Sequence, residues 1–223
     1  MKIGVLIPAY NESERIGSLV SKILTLEKIA EIVVVDDGSS DSTYEEAKKA
    51  GATVLRHEKN QGKGAALRTG FSYVKGKDLN AVITMDGDGQ HKWDEIPHFI
   101  EAFEKSNADI IVGSRMHKCK DMPLIRYLTN HFTSFVTSLI GRCKVTDSQS
   151  GFRLISIDVL KRLELSSSNF EIESEVIIKA ARQGFQIKEI PISTIYWADS
   201  AKKSKIHPLF DTLKFFILVI RNL

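Results

Sequence analysis

Apolar positions along the first 115 residues switch between two periods. Residues 2–9 are a near-continuous apolar run, the pattern of a strand buried on both faces. Residues 13–26 then place Ile16, Leu19, Val20, Ile23 and Leu24 at helical spacing. The alternation repeats. Residues 31–35 (EIVVV) predict a second buried strand, and 43–50 a helix closed by Gly51. A short strand over 53–55, a helix over 64–74 and a strand over 81–85 (AVITM) follow. The spacing of Ile96, Phe99, Ile100 and Phe103 predicts a helix over 93–105, and a further strand is expected over 109–112. Repeated βα units of this length predict an α/β fold: a mainly parallel sheet flanked by helices, with right-handed crossovers.

The second half is less regular. Helices are expected over 123–139, 157–163 and 173–183, the last ended by Gly184, and a strand over 151–155. Residues 186–196 read as extended, with Pro191 marking an edge or bend. A polar, lysine-rich loop over 198–207 leads into an apolar-faced helix over 208–223. No internal repeat or linker divides the chain.

In such sheets ligands sit at the carboxyl ends of the strands. The polar clusters fall there: Tyr10-Asn11-Glu12, Asp36-Asp37-Gly38-Ser39, Asp86-Gly87-Asp88 and Ser114-Arg115. In extended backbone, residues i and i+2 point to one side. Asp86 and Asp88 so placed suit a hard divalent cation, Mg²⁺ or Mn²⁺, with the Gln90 amide oxygen as a third ligand and His91 nearby. The same run also reads as an acidic turn that binds nothing. Asp36 and Asp37 suit a ribose hydroxyl or a base edge, while Ser39, Ser40 or Asp41 can cap the next helix. Asn60-Gln61-Gly62-Lys63-Gly64 is a Gly-rich turn at a helix start, a place for anions, though not a P-loop.

Two basic stretches stand out. Arg115, His117, Lys118, Lys120 and Arg126 read either as an anion site beside the metal or as a solvated surface run. Lys202, Lys203 and Lys205 precede the apolar C-terminal helix, a combination suited to an anionic membrane surface. Phe215, Phe216, Leu218 and Val219 docking on the core explains that helix equally well.

Composition narrows the classes. With 223 residues, 43% hydrophobic and 26% charged, the chain buries about 70% of its surface, which excludes a disordered chain. A net charge of +3 gives no argument for nucleic acid. Two cysteines, Cys119 and Cys143, without a CxxC pair, fit a reducing compartment. No signal-peptide pattern and no run near ~18 apolar residues is present, so a cytoplasmic protein is expected, in peripheral contact with the cytoplasmic face of a membrane.

Taken in order, these motifs resemble glycosyltransferase family 2, with its nucleotide-diphospho-sugar transferase (GT-A) fold. The carrying residues are Ile7-Pro8-Ala9-Tyr10-Asn11-Glu12, Val35-Asp36-Asp37-Gly38-Ser39, Asn60-Gln61-Gly62-Lys63-Gly64, Met85-Asp86-Gly87-Asp88-Gly89-Gln90, Gly113-Ser114-Arg115 and Asp147-Ser148-Gln149-Ser150-Gly151-Phe152-Arg153. Within the family the chain is similar to dolichyl-phosphate mannose synthases and glucosyltransferases. The resemblance implies a catalytic domain over 1–206 and a C-terminal amphipathic helix over 207–223. It implies that Pro8, Tyr10, Glu12, Val35 and Asp37 hold the nucleoside of a nucleotide-sugar donor. Gly62, Lys63, Asp86, Gly87 and Lys205 would line the rest of the donor site, and Asp86, Asp88 and Gln90 would hold the metal. Arg115, Arg126, Asn130 and Gln149 would meet a polyprenyl-phosphate lipid acceptor, with Asp88, Arg115 and Arg126 carrying catalysis. The expected reaction is inverting, metal-dependent transfer of a hexose, first of all mannose from GDP-mannose. The alternatives are a UDP-glucose or UDP-N-acetylhexosamine donor, a non-lipid acceptor, a nucleotidyltransferase, or a non-catalytic nucleotide-binding module.

Overall fold

The computed structural model describes residues 1–116, 124–195 and 208–221. Lys205 and the basic residues at 117–120 and 202–203 lie outside the described residues. The elements run β1 (Ile3–Ala9), α1 (Ser13–Ile23), β2 (Ile29–Asp36), α2 (Thr43–Lys49), β3 (Thr53–Arg56), α3 (Lys63–Val74), β4 (Ala81–Thr84), α4 (Ile96–Glu104), β5 (Ile110–Ser114), α5 (Leu124–Gly141), β6 (Arg153–Ser156), α6 (Ile157–Arg162), α7 (Ile172–Arg182), β7 (Ile187–Pro191) and α8 (Pro208–Arg221).

The strands form one sheet in the order β3-β2-β1-β4-β6-β5-β7. All neighbours pair in parallel except β6, which runs antiparallel to both β4 and β5. The chain steps from β1 outward to β2 and β3, then returns to place β4 on the other side of β1. The switch point therefore lies between the carboxyl ends of β1 and β4, the place where such sheets bind ligands.

Both faces of the sheet are covered, which explains the unbroken apolar runs. Ile3, Val5 and Ile7 of β1, with Ile32 and Val34 of β2, pack under α1 and α4. Leu6, Val33 and Val35 point the other way, under α3 and α7. The helix expected over 93–105 divides. Trp93–Glu95 is a 3-10 turn, and α4 begins where Pro97, lacking an N–H, suits a first turn. The extended stretch expected over 186–196 shortens to β7.

Helix α5 is inside out. Its buried residues are Asn130, Thr133, Ser134, Thr137 and Gly141, all polar or small. Its apolar residues Leu124, Ile125, Leu128, Phe132, Phe135 and Leu139 are exposed, Ile125 to 81%. Helix α8 lies against it. Phe215 and Leu218 are buried, Phe216, Ile217 and Ile220 are exposed, and the Phe132 and Phe216 rings stand 6.5 Å apart. Among the described residues no helix is long and apolar enough to cross a membrane.

Candidate active site

The rim loops after β1 and β2 are tied to each other. Asn11 takes a left-handed backbone (φ 55°), its N–H donates to Ser39 Oγ, and its Oδ1 accepts from the Ser40 N–H. The Asp41 carboxylate accepts amides at two helix starts, Thr43 of α2 at 3.0 Å and Ser13 of α1 at 3.2 Å. Of the three residues able to cap the second helix, Asp41 is thus the one that receives an amide there.

Asp37 faces inward. Its Oδ1 accepts from the Gln61 N–H at 3.0 Å and lies 2.7 Å from His57 Nδ1, while Oδ2 accepts from the Gly62 N–H at 2.8 Å. His57 Nε2 in turn meets Thr69 Oγ1 at 2.9 Å. The Ala65 N–H at the start of α3 donates to Ser168 O. The anion that the Gly-rich turn holds is therefore the protein's own carboxylate. Gly62 is required there: its φ is +97°, and a Cβ would lie 2.5 Å from Ser168 O. What the turn presents toward Asp86 is the ammonium of Lys63.

Lys63 Nζ lies 2.6 Å from Asp86 Oδ1 and 2.8 Å from Glu173 Oε1. Asp86 opens the turn after β4. Glu173 sits in the first turn of α7 and is 4% exposed. The antiparallel β6 completes the group. Because Thr84 pairs with Arg153, the start of β6 lies beside the end of β4, and Thr84 Oγ1 donates to Gly151 O at 2.8 Å. Arg153 is buried and donates to three carbonyls: Ser150 and Ser148 at 2.7 Å, and Glu173 at 2.5 Å. Burial lowers its guanidinium to about 10, with the Glu173 charge acting the other way.

The Asp86–Asp88 turn is electrostatically divided. Burial is the largest single effect and would raise the Asp86 carboxyl, but the Lys63 ammonium and the other positive charges nearby together hold the group at about 2. Asp88 moves up, first through burial and then through the Asp86 charge. Asp88 Oδ1 accepts from the Gln90 N–H at 2.9 Å. His91 Nδ1 accepts from the Asp86 N–H at 3.1 Å, so its proton sits on Nε2 and neither nitrogen offers a lone pair to a metal. Its ring stacks on Phe152 at 5.1 Å, and burial lowers its basicity. His91 thus props the turn, in contrast to its sequence-based reading as a nearby ligand.

A hard dication fits what remains. Oδ2 of Asp86 and Oδ2 of Asp88 receive no hydrogen bond from the described residues, and the like charge that raises Asp88 is what a cation relieves. The described residues hold no group of three His, Cys, Asp or Glu suited to a metal. Among the described residues, Asp86, Asp88 and Gln90 thus remain the ligand set expected from the sequence.

The other expected residues are placed as follows. Pro8, next to last in β1, lies close to Gly87, where a Cβ on Gly87 would lie 3.4 Å from Pro8 O. Tyr10 is half-buried at the same rim, and Glu12 lies 3.7 Å from Arg15. The Val35 side chain is in the core. Arg115 donates from Nε and Nη2 to Asp147, and the Gln149 amide donates to Ser174 Oγ at 2.9 Å. Asn130 is 6% exposed, and its Nδ2 has no hydrogen-bond partner among the described residues. Arg126 lies one turn ahead of it on the same helix, half-buried. No hydrogen bond or ion pair joins Arg126 to the Asp86–Asp88 turn among the described residues. Sequence reasoning missed Glu173. Its only signal was an acid at an inward position of an otherwise apolar helical repeat.

The protein-family model described as Glycosyl transferase family 2 matches residues 4–164. A UDP-N-acetylglucosamine–dolichyl-phosphate N-acetylglucosaminyltransferase of Methanococcus voltae is 37% identical over 87% of this chain and 86% of its own. A dolichol-phosphate mannosyltransferase of Pyrococcus furiosus is 33% identical over 96% of this chain and 62% of its own. Glucosyl-3-phosphoglycerate synthase of Mycobacterium tuberculosis, solved with phosphoglyceric acid, superposes with a TM-score of 0.75 at 18% identity, over 99% of this chain and 79% of that one. Its likeness shows the GT-A fold.

Proposed function

The chain belongs to glycosyltransferase family 2, and from that premise we propose that it transfers a hexose from a nucleoside-diphosphate sugar to a polyprenyl phosphate, with inversion and with a divalent cation. The observation that carries the acceptor is the inside-out α5. Its polar face lies against the site, where Thr137 and Gln149 share Ser174, and its opposite face exposes apolar residues to the outside. A lipid whose phosphate must reach a polar site while its chain stays apolar needs such a helix. The basic stretches flanking α5 and α8 suit an anionic membrane surface.

In this reading Asp86 and Asp88, with Gln90, hold Mg²⁺ or Mn²⁺. A dication held there would supply charge stabilisation for the departing diphosphate. Lys63 adds a second positive charge there, joined by Lys205. Pro8, Tyr10 and Glu12 line the nucleoside pocket, with Val35 and Asp37 beneath them and Gly62 and Gly87 at its edge. Arg115, Arg126, Asn130 and Gln149 orient the acceptor phosphate. One of its oxygens bonds to the anomeric carbon as the bond to the diphosphate oxygen breaks, and that electron pair leaves with the nucleoside diphosphate. The attacking phosphate is already ionised, so positioning replaces a general base. Attack opposite the leaving group inverts the centre.

GDP-mannose is the first donor to test. The 37% identical relative supports UDP-N-acetylglucosamine as the second reading. The experiment supplies Mn²⁺, polyprenyl phosphate and each donor in turn, and measures glycolipid and nucleoside diphosphate. Transfer from one donor, abolished by EDTA, is expected. Release of pyrophosphate instead identifies a nucleotidyltransferase, and nucleotide binding without transfer identifies a non-catalytic module.

A further inference from the structure

Three charged side chains from distant stretches of chain meet behind the Asp86–Asp88 turn. Lys63 Nζ bridges Asp86 Oδ1 and Glu173 Oε1 at 2.6 and 2.8 Å. The Lys63 side chain is 16% exposed and that of Glu173 4%. Neither Glu173 carboxylate oxygen has a hydrogen-bond partner among the described residues; Oε1 meets Lys63 as an ion pair. Gly151 closes the group from behind. A Cβ there would lie 2.8 Å from Lys63 Nζ and 3.1 Å from both Asp86 carboxylate oxygens. Arg153 fixes the first turn of α7 through the Glu173 carbonyl. One ammonium thus serves two carboxylates, and loss of either one concentrates it on the other.

We propose that Glu173 is a positioning residue for the donor end: it shares Lys63 with Asp86 and so keeps Asp86 open to a divalent cation. This inference rests on the reading of Asp86 and Asp88 as metal ligands. With the Glu173 side chain in place, the ammonium retains a partner when it gives up Asp86. Without Glu173, leaving Asp86 would strand a buried cation, which is strongly disfavoured. Lys63 then stays on Asp86 and competes with the metal. Glu173 acts through Lys63 and touches neither donor nor acceptor.

The charge logic gives opposite signs for a cation and an anion, which simple structural damage would not. Glu173→Gln, of the same shape, is compared with wild type in Mn²⁺ titrations followed by electron paramagnetic resonance. GDP and UDP binding is measured by calorimetry in EDTA. Glu173→Gln is expected to raise the Mn²⁺ midpoint about tenfold, the scale of one lost charge contact, while metal-free diphosphate binds several-fold tighter. Glu173→Asp restores most of the Mn²⁺ affinity. In a Lys63→Met background the same Glu173→Gln change moves the midpoint less than about twofold, because the path through Lys63 is gone. An unchanged midpoint, an equal loss in both backgrounds, or weakening of both ligands together overturns the proposal. If wild type binds no Mn²⁺, the metal reading fails by itself, and the diphosphate arm decides. Tighter binding that depends on Lys63 supports the shared ammonium, and unchanged binding overturns it.

Discussion

Arg115 forks onto Asp147, with Nε 2.8 Å from Oδ2 and Nη2 2.7 Å from Oδ1, and the Arg115 main-chain N–H adds a third bond at 3.0 Å. Asp147 is fully buried, and its own N–H and that of Thr146 donate to Glu189 Oε1. The pair locks the end of β5 to the loop entering β6. Asp147→Asn removes the charge that compensates the guanidinium and is expected to cost about 3–5 kcal/mol. Urea unfolding measures it, and a loss below about 1 kcal/mol would show that the fork is not a structural lock.

The same pair sets an acid limit. Burial raises the Asp147 carboxyl, but the Arg115 charge and hydrogen bonds, together with the Arg153 charge, hold the group below its ordinary value. Asp86 lies lower too, at about 2. A carboxyl lowered on folding adds stability above its unfolded pKa of about 4, and that stability is lost as pH falls through the folded value. Metal-free protein should therefore lose unfolding free energy between about pH 4 and about pH 2, and Asp147→Asn should make that slope shallower. Equilibrium unfolding in a pH series checks both.

Asp88 has the opposite sign. Burial and the Asp86 charge raise its carboxyl, so its ionised form costs stability at neutral pH. Asp88→Asn should raise stability by about 0.5–1 kcal/mol in metal-free buffer while transfer nearly disappears. A lower melting temperature together with lost transfer would show that Asp88 holds the turn rather than a ligand.

Gly151 leaves no room for a side chain. Alanine there would press on Lys63 Nζ and both Asp86 oxygens. Gly151→Ala is expected to cost about 1–3 kcal/mol and to lower transfer by more than Glu173→Gln does, because both charged partners are pushed apart. Denaturant titration beside initial rates gives the two numbers.

The outer face of α5 can be changed without touching the site. Leu128, Phe135 and Leu139 are 57%, 67% and 68% exposed, so changing all three to Ser should alter stability by about 0.5 kcal/mol each or less. Flotation with phosphatidylglycerol vesicles should show binding by wild type and its loss in the triple variant. Equal binding by both would move the membrane contact elsewhere.

Chain-local patterning dictates the βα alternation, the double-sided burial of β1 and β2, and the acidic turn after β4. These follow from neighbours in the chain: a strand apolar at every position must be covered on both faces, and residues i and i+2 share a side whatever the fold. Four other features come from the packed fold. It inserted β6 antiparallel, bringing Arg153 beside Thr84 and Gly151 beside Asp86. It joined Lys63 to Glu173, and it turned Asp37 onto the Gln61–Gly62 amides. It also directed the polar face of α5 inward. Helical spacing reveals that a helix has two faces but not which of them meets protein, and a strand's apolar run does not state its direction. Both are settled by contacts between distant segments, where burial and charge are satisfied together.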